Sequence, residues 1–157
     1  MSKDIRISAA DLNSFTKEVF ISVGLPPGDA EIEAELLVWA NLRGIDSHGV
    51  LRIPFYIDAV EKGLMNPNPN IEVLNETSAT VMYEADRAFG PVVTTRVMKH
   101  VISKAKDSGI CWGLIKDTTH QGAMAYYSLM AAEASMAGIA IVCSPPNMAI
   151  HGSKSPG

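Results

Sequence analysis

Cysteine is scarce in this chain, and the two that occur are far apart. Cys111 and Cys143 lie in separate apolar stretches and form no Cys-x-x-Cys pair. This pattern predicts buried free thiols in a reducing compartment. The four histidines lack the spacing of metal ligands, so the sequence predicts no zinc site.

Long apolar runs and a basic surface are also missing. No run approaches the ~20 apolar residues that a membrane span needs, and residues 1–6 lack the apolar core of a signal peptide. The net charge is −4, the pI is near 5.5, and the lysines and arginines are scattered. We therefore expect a cytoplasmic protein that binds neither membrane nor nucleic acid.

No Gly-x-Gly-x-x-Gly segment lies between a strand and a helix, and no internal repeat is visible. The pattern alone therefore does not predict a dinucleotide cofactor. The chain has 157 residues, of which 47% are apolar and 19% charged. That composition is typical of a globular protein with one domain or two small ones.

Apolar residues at helical spacing predict three helices in the first part of the chain. The first begins at a capping pair, Ser8 and Asp11, and stops at Gly24. The second runs from about Asp29 to Leu42, and its first half is acidic, which favours the helix N-terminus. These acidic residues are Asp29, Glu31, Glu33 and Glu35. The third helix continues to about residue 62.

The proline-rich segment 66–70 is predicted to be an extended linker. We place a domain boundary there, between a helical domain (1–66) and an α/β region (71–157). Strands and helices alternate in the second region. The predicted strands cover residues 71–74, 79–83, 110–115 and 138–143, the last two buried, and the predicted helices cover 89–109 and 123–136.

Segment 47–56 contains a proton-transfer group, a fixed positive charge and a phenol. If a helix begins just after His48, then His48, Arg52 and Tyr56 lie four residues apart along one face. Pro54 is compatible with this helix because the first turn has no intrahelical partner for its N–H groups. His48 then lies at the positive end of the helix dipole, which disfavours the imidazolium. The pair suits a small acid: Arg52 binds the carboxylate, and His48 exchanges a proton with the neighbouring oxygen.

Other interpretations of these residues stay open. A solvated His–Arg pair on a surface helix is the alternative for segment 47–56. His120 follows a predicted buried strand and precedes a helix, where α/β proteins place ligand contacts, although a capping histidine fits equally well. Ser144 ends another predicted strand. His100 is predicted to be solvated in mid-helix, and the sequence does not settle His151.

Four ordered motifs resemble the malate/L-lactate dehydrogenase family of the non-Rossmann type. The family includes ureidoglycolate dehydrogenases, diketogulonate reductases and piperideine-carboxylate reductases. The motifs are Arg-Gly-Ile-Asp-Ser-His-Gly at 43–49 with Arg52 and Tyr56, Gly-Leu-Met-Asn-Pro-Asn-Pro at 63–69, Thr-Thr-His-Gln-Gly at 118–122, and Ser-Pro-Pro-Asn-Met-Ala at 144–149. The resemblance implies an α/β (α+β) fold with an N-terminal three-helix region followed by a mixed-sheet, non-Rossmann nicotinamide-binding domain.

The resemblance also implies roles for individual residues. His48 resembles the proton donor to the substrate oxygen, Ser47 a residue that orients it, and Arg52 the carboxylate anchor. Tyr56 is similar to a residue that lines the same pocket. His120 resembles a residue at the nicotinamide and the substrate, and Ser144 a cofactor contact. The implied reaction is hydride transfer between NAD or NADP and a small 2-oxo or 2-hydroxy acid, in a homodimer.

Family members continue for about as many residues again beyond the end of this sequence. We therefore expect an N-terminal portion that lacks part of the sheet and of the cofactor site, and a poor catalyst in isolation. A non-catalytic module that binds a carboxylate or a partner chain is the competing hypothesis, because it needs only Arg52 and a helix terminus.

Overall fold

The computed structural model describes residues 6–144 and 151–152. Three helices come first: α1 (Ala9–Ser22), α2 (Pro27–Asn41) and α3 (Ile53–Glu61). They are followed by β1 (Glu72–Glu76), β2 (Thr80–Glu84), α4 (Gly90–Ser108), β3 (Trp112–Lys116) and α5 (Ala125–Glu133). Two short 3₁₀ turns, Asp46–His48 and Val50–Arg52, lie between α2 and α3.

The signals at the two ends of α1 are used as predicted, whereas α2 starts earlier. The Ser8 hydroxyl accepts a hydrogen bond from the Asp11 N–H at 3.1 Å and so caps α1. Gly24 follows the end of α1 with φ of 101°, a conformation that favours glycine. Helix α2 begins at Pro27, two residues before the predicted start, because proline fits the first helical position well.

The prediction of one helix starting just after His48 is wrong. Gly49 has an extended backbone, with φ of −94° and ψ of −156°, and it separates the two 3₁₀ turns. Helix α3 begins only at Ile53. His48 is therefore not at the N-terminus of α3, and His48, Arg52 and Tyr56 do not share a face of one helix.

The three strands form one mixed sheet in the order β1-β2-β3. Strands β1 and β2 are antiparallel with an irregularity between Val73 and Asn75, and β2 and β3 are parallel. Helix α4 connects the two parallel strands and packs closely against them. A Cβ at Gly113 would lie 2.7 Å from Val97 and 2.8 Å from Val101, so β3 depends on glycine at this contact. The mixed α/β architecture confirms the predicted fold class.

Two predictions of buried strands need correction. Strand β3 exists, but Trp112 and Leu114 are 43% and 49% exposed because α4 covers only the other face of the sheet. Residues 138–143 form no strand, and Ile139 and Ile141 are 73% and 70% exposed. An apolar run becomes a buried strand only when it finds a pairing strand, and the sheet of the described residues ends at β3.

Three smaller predictions also need correction. The prediction of two buried thiols is wrong, since Cys143 is exposed and Cys111 is only partly buried in segments that lie at the surface. Helix α5 is shorter than predicted and ends at Glu133, close to Ser135 with φ of 60°. His100, predicted to be solvated, is only partly exposed. Its Nδ1 lies 2.7 Å from the Tyr83 hydroxyl, and its Nε2 lies 3.5 Å from the Glu76 carboxylate.

The main apolar cluster takes side chains from both sides of the 66–70 linker. Its largest buried members from the helical side are Phe20, Leu36, Leu37 and Tyr56, and those from the α/β side are Phe89, Val92 and Tyr127. The linker itself is held on both sides: Asn68 donates to the Gly24 carbonyl, and Asn66 donates to Asp86. These contacts fix α3 against the start of α4.

Glu33 is fully buried in α2, although it belongs to the acidic first half of that helix. Ala30 and Leu37 are three and four positions away from it, and Ala34 is adjacent. All three are buried, so Glu33 lies on the buried face of α2. Neither carboxyl oxygen has a hydrogen-bond partner among the described residues. Burial raises the pKa of Glu33 well above 4.5, so the folded protein favours the neutral acid.

Substitution of Glu33 by glutamine tests this burial. The raised pKa means that the folded state binds the proton more tightly than the unfolded state does. The stabilisation that comes from the protonated Glu33 carboxyl is fully present below pH 4.5. It declines as the pH rises toward the folded-state pKa, and the free energy of unfolding falls by at most about 1.4 kcal/mol per pH unit. We expect Glu33→Gln to remove this decline, measured by urea unfolding between about pH 5 and 8. Glu18→Gln, at an exposed position of α1, is the control. A decline that persists in Glu33→Gln would contradict the assignment.

Candidate active site

The loop between α2 and α3 brings three of the predicted site residues together. The Ser47 hydroxyl lies 2.9 Å from Nδ1 of His48. The Nε of Arg52 donates a hydrogen bond to the Ser47 carbonyl at 2.6 Å. Arg52 is thus folded back over the turn that carries His48, and its terminal nitrogens have no hydrogen-bond partner among the described residues.

Tyr56 connects this loop to a segment 64 residues further along the chain. It lies in α3 and is completely buried, and its hydroxyl is 2.8 Å from Nδ1 of His120. The Gly122 N–H also donates to Nδ1 of His120, at 3.3 Å. Because a backbone N–H can only donate, Nδ1 acts as the acceptor, and the neutral imidazole carries its proton on Nε2.

Hydrogen bonds from two neighbouring side chains hold the loop that carries His120 in place. Thr119 donates to the Ala88 carbonyl through its hydroxyl at 2.8 Å, and Tyr127 of α5 donates to the Gln121 carbonyl at 2.5 Å. At the start of α4, a Cβ on Gly90 would overlap the His120 carbonyl. Glycine is therefore needed at position 90 for this loop to approach α4.

The two imidazoles of the candidate site lie side by side. The ring centroids of His48 and His120 are 5.4 Å apart, and the ring planes are inclined by 24°. The Phe55 ring is 6.3 Å from His120 in an edge-on arrangement, and it is 49% exposed. The structure thus brings together Ser47, His48, Arg52, Tyr56 and His120, and Phe55 is a neighbour that sequence reasoning missed.

Ser144 is the predicted site residue for which the structure gives the least support. It lies in the segment 137–144, which has no regular secondary structure, and it is exposed. Its role as a cofactor contact stays a prediction. Residues 145–149 of the same motif lie outside the described residues.

Both histidines are held in the neutral form. Desolvation, followed by the positive charge of Arg52, lowers the pKa of His48 below 6.5. Desolvation lowers the pKa of His120 to about 4, with further contributions from Arg52 and His48. Two like charges on stacked rings would repel each other, so the pair carries at most one positive charge near neutral pH.

The second residue that sequence reasoning missed is Glu33, behind the site. Burial raises the pKa of Tyr56, and the nearby Glu33 carboxyl adds to this effect. The Tyr56 hydroxyl therefore keeps its proton and donates to His120. The stripe formed by residues 30, 33, 34 and 37 of α2 was the available signal, because it places Glu33 on the buried face.

Chemically, the site offers a proton acceptor, a hydrogen-bond donor and a cation around one position. Nε2 of His48 and Nε2 of His120 make no hydrogen bond to any described residue. The two terminal nitrogens of the Arg52 guanidinium also make none. Within residues 6–144 and 151–152, no group of three His, Cys, Asp or Glu side chains could hold a metal ion. No helix in the same ranges is long and apolar enough to cross a membrane.

The sequence profile of malate/L-lactate dehydrogenase matches residues 7–157, which is nearly the whole chain. The chain belongs to the malate/L-lactate dehydrogenase family. Malate dehydrogenase of Pyrococcus horikoshii is 41% identical over 148 residues, covering 94% of this chain and 41% of the relative. An NAD(+) ureidoglycolate dehydrogenase of Escherichia coli O157:H7 is 32% identical over 142 residues, covering 90% of this chain and 41% of the relative.

The fold comparison agrees with the family profile. The solved structure of the Pyrococcus horikoshii malate dehydrogenase superposes with a TM-score of 0.80 at 42% identity, over 82% of this chain and 37% of that structure. The chain therefore spans about two fifths of the length of the relatives that it matches. The family and the fold inferred from the four motifs are confirmed.

Substitutions of Arg52 test the electrostatics of the histidine pair. Arg52→Gln removes a positive charge, so we expect the pKa of both His48 and His120 to rise. Arg52→Lys keeps the charge and should leave both pKa values low. Both would be measured by NMR titration of the imidazole signals, with Arg43→Gln as the control because Arg43 stacks on Trp39 instead. Equal pKa values in Arg52→Gln and Arg52→Lys would contradict this account.

Proposed function

We propose that this protein is a nicotinamide-dependent oxidoreductase that transfers a hydride between its cofactor and C2 of a small 2-hydroxy or 2-oxo acid. Membership of the family supports the reaction class. The observation that carries the proposal is the stacked pair His48 and His120, placed by two distant loops beside Arg52. A pair of neutral imidazoles next to a guanidinium suits proton exchange at the oxygen of a carbon that bears a carboxylate.

Arg52 is the substrate anchor in this proposal. A guanidinium binds a carboxylate through two parallel hydrogen bonds, which fixes both the position and the plane of the acid. Its Nε is already bonded to the Ser47 carbonyl, so the terminal nitrogens remain for the substrate. Malate and ureidoglycolate, which name two of the relatives, both present a carboxylate beside a hydroxylated carbon. The proposal therefore covers this class of acid.

The surroundings of His120 fit the nicotinamide end of NAD or NADP. The apolar ring of Phe55 lies next to the His120 imidazole, and the two rings offer a surface for the nicotinamide ring. We propose that His120 and Ser144 contact the cofactor, which when bound supplies a hydride acceptor or donor at C4 of its ring. The name of the ureidoglycolate relative specifies NAD(+). Both NAD and NADP belong to the proposal.

His48 is the group that moves the proton. In the direction of oxidation, its Nε2 accepts the proton of the 2-hydroxyl while Nδ1–H donates to the Ser47 hydroxyl. In the direction of reduction, the imidazolium returns that proton to the oxygen of the 2-oxo acid. His120 holds its proton on Nε2 and stabilises the reacting oxygen as a hydrogen-bond donor. The Gly122 N–H, which donates to Nδ1, fixes this tautomer.

A panel of 2-hydroxy acids with both cofactors, assayed on the protein at its full encoded length, tests the reaction. We expect turnover to fall about 10²–10⁴-fold in His48→Asn, because the variant loses its proton-transfer group. Arg52→Lys should instead raise KM, by about tenfold or more, because one charge-assisted hydrogen bond is lost. His100→Asn, at a histidine outside the site, is the control. Binding of carboxylates without any turnover would favour the non-catalytic module.

The pH dependence tests which form of His48 is active. Oxidation needs the neutral imidazole, so kcat/KM for the hydroxy acid should fall as the pH drops through the lowered pKa of His48 and stay level above pH 6.5. Reduction needs the imidazolium, so its rate should rise over the same acid range. An acid limb centred above 6.5 in the wild-type protein would contradict the lowered pKa of His48.

The remaining features rest on the family resemblance. We propose a homodimer, a cytoplasmic location and a division into residues 1–66 and 71–157. Leu51, in the second 3₁₀ turn, is 72% exposed, and it is an apolar side chain that a subunit contact would cover. Light scattering and limited proteolysis would measure the oligomeric state and the domain boundary.

A further inference from the structure

Asn41, the last residue of α2, reaches forward with its side chain into the loop that carries His48. Its Nδ2 donates to the Asp46 carboxylate at 2.6 Å, and its Oδ1 accepts from the Val50 N–H at 2.9 Å. One carboxamide therefore holds the first residue of each 3₁₀ turn. Ser47, His48 and Gly49 lie between the two bonded positions.

Gly49 lies in close contact with the same carboxamide. A Cβ at position 49 would overlap Oδ1, Cγ and Nδ2 of Asn41. The backbone of Gly49 is extended, with φ of −94° and ψ of −156°, a conformation that other residues adopt without strain. The requirement for glycine here comes from the approach of Asn41 and not from the backbone.

We propose that Asn41 is a positioning residue for the His48 imidazole. Its two hydrogen bonds, to Asp46 and Val50, form a clasp around Ser47, His48 and Gly49. This role rests on the proposed function insofar as it concerns catalysis. The stacking of His48 on His120 requires the first 3₁₀ turn to stop at His48 and the chain to change direction at Gly49. The Asn41 carboxamide satisfies the Val50 N–H at that change of direction, where no helical acceptor is available.

The two hydrogen bonds require different groups on the side chain at position 41. The bond to Val50 needs an acceptor, and the bond to Asp46 needs a donor, and the amide supplies them from two different atoms. Aspartate at position 41 keeps the acceptor but faces the Asp46 carboxylate as a like charge. Asparagine at position 46 then restores a donor opposite the new carboxylate, with the same total charge as in the wild-type protein.

The test is a charge-matched exchange of the two side chains. We expect Asn41→Asp to lower kcat about 10–100-fold, since a misplacement of about 1 Å can cost 10²-fold, with a smaller change in KM because Arg52 remains. The double variant Asn41→Asp/Asp46→Asn should recover to within about threefold of the wild-type kcat, because both hydrogen bonds can form again. The NMR signals of the His48 imidazole should shift in the single variant and return in the double variant.

The outcomes separate the clasp from the proposed function. The proposed role of Asn41 would be contradicted if the double variant had a kcat as low as that of Asn41→Asp. It would also be contradicted if the His48 signals did not change in the single variant. A wild-type protein without turnover would contradict the proposed function, whereas the imidazole signals would still decide whether Asn41 positions His48.

Gly49→Ala gives a second test that adds no charge, should Asn41→Asp fail to fold. We expect Gly49→Ala to displace the Asn41 side chain and to shift the His48 signals. Gly28→Ala, at a glycine with no atom within 4 Å of an added Cβ, is the matched control. In the Asn41→Ala background the same alanine should have little further effect, because the overlapping carboxamide is gone. An equal effect of Gly49→Ala in both backgrounds would contradict the clasp.

Discussion

The hydrogen bond between the Tyr56 hydroxyl and Nδ1 of His120 joins the two parts of this molecule. It connects a helix of the N-terminal region with a loop that follows the last strand of the described sheet. Because Tyr56 is completely buried, its hydroxyl needs a partner, and the structure supplies one that belongs to the site. The Gly122 N–H donates to the same nitrogen, and it leaves the His120 proton on Nε2.

Much of the regular structure follows from local signals in the sequence. The Ser8 cap, the Gly24 stop and the Gly109 end of α4 are all visible there, because capping and chain reversal depend on neighbouring residues. The strands on either side of residues 77–79 are also visible from their β-branched and apolar residues. The four motifs identify the family because their order and spacing are far more specific than any single motif.

The rest depends on contacts that no local pattern contains. Segment 47–56 looks helical by spacing, but the carboxamide of Asn41 opens the chain at Gly49 and divides it into two turns. The placement of His48 against His120 depends on the contacts of Tyr56 with Phe89 and His120, which are far from it in the sequence. Residues 138–143 have a strand-like composition, but the described sheet does not offer them a partner. The charge of Glu33 suggests a helix-terminal role, whereas its place on the stripe of α2 decides its burial.

The apolar cluster that surrounds Tyr56 takes side chains from four helices, α1, α2, α4 and α5, in addition to α3. Tyr56 is thus a member both of this cluster and of the candidate site. The relative position of the two imidazoles therefore depends on the cooperative stability of the whole fold. Heat or denaturant that loosens the packing around Tyr56 also releases His120. A temperature at which this chain melts is therefore also the temperature at which the arrangement of its two imidazoles is lost.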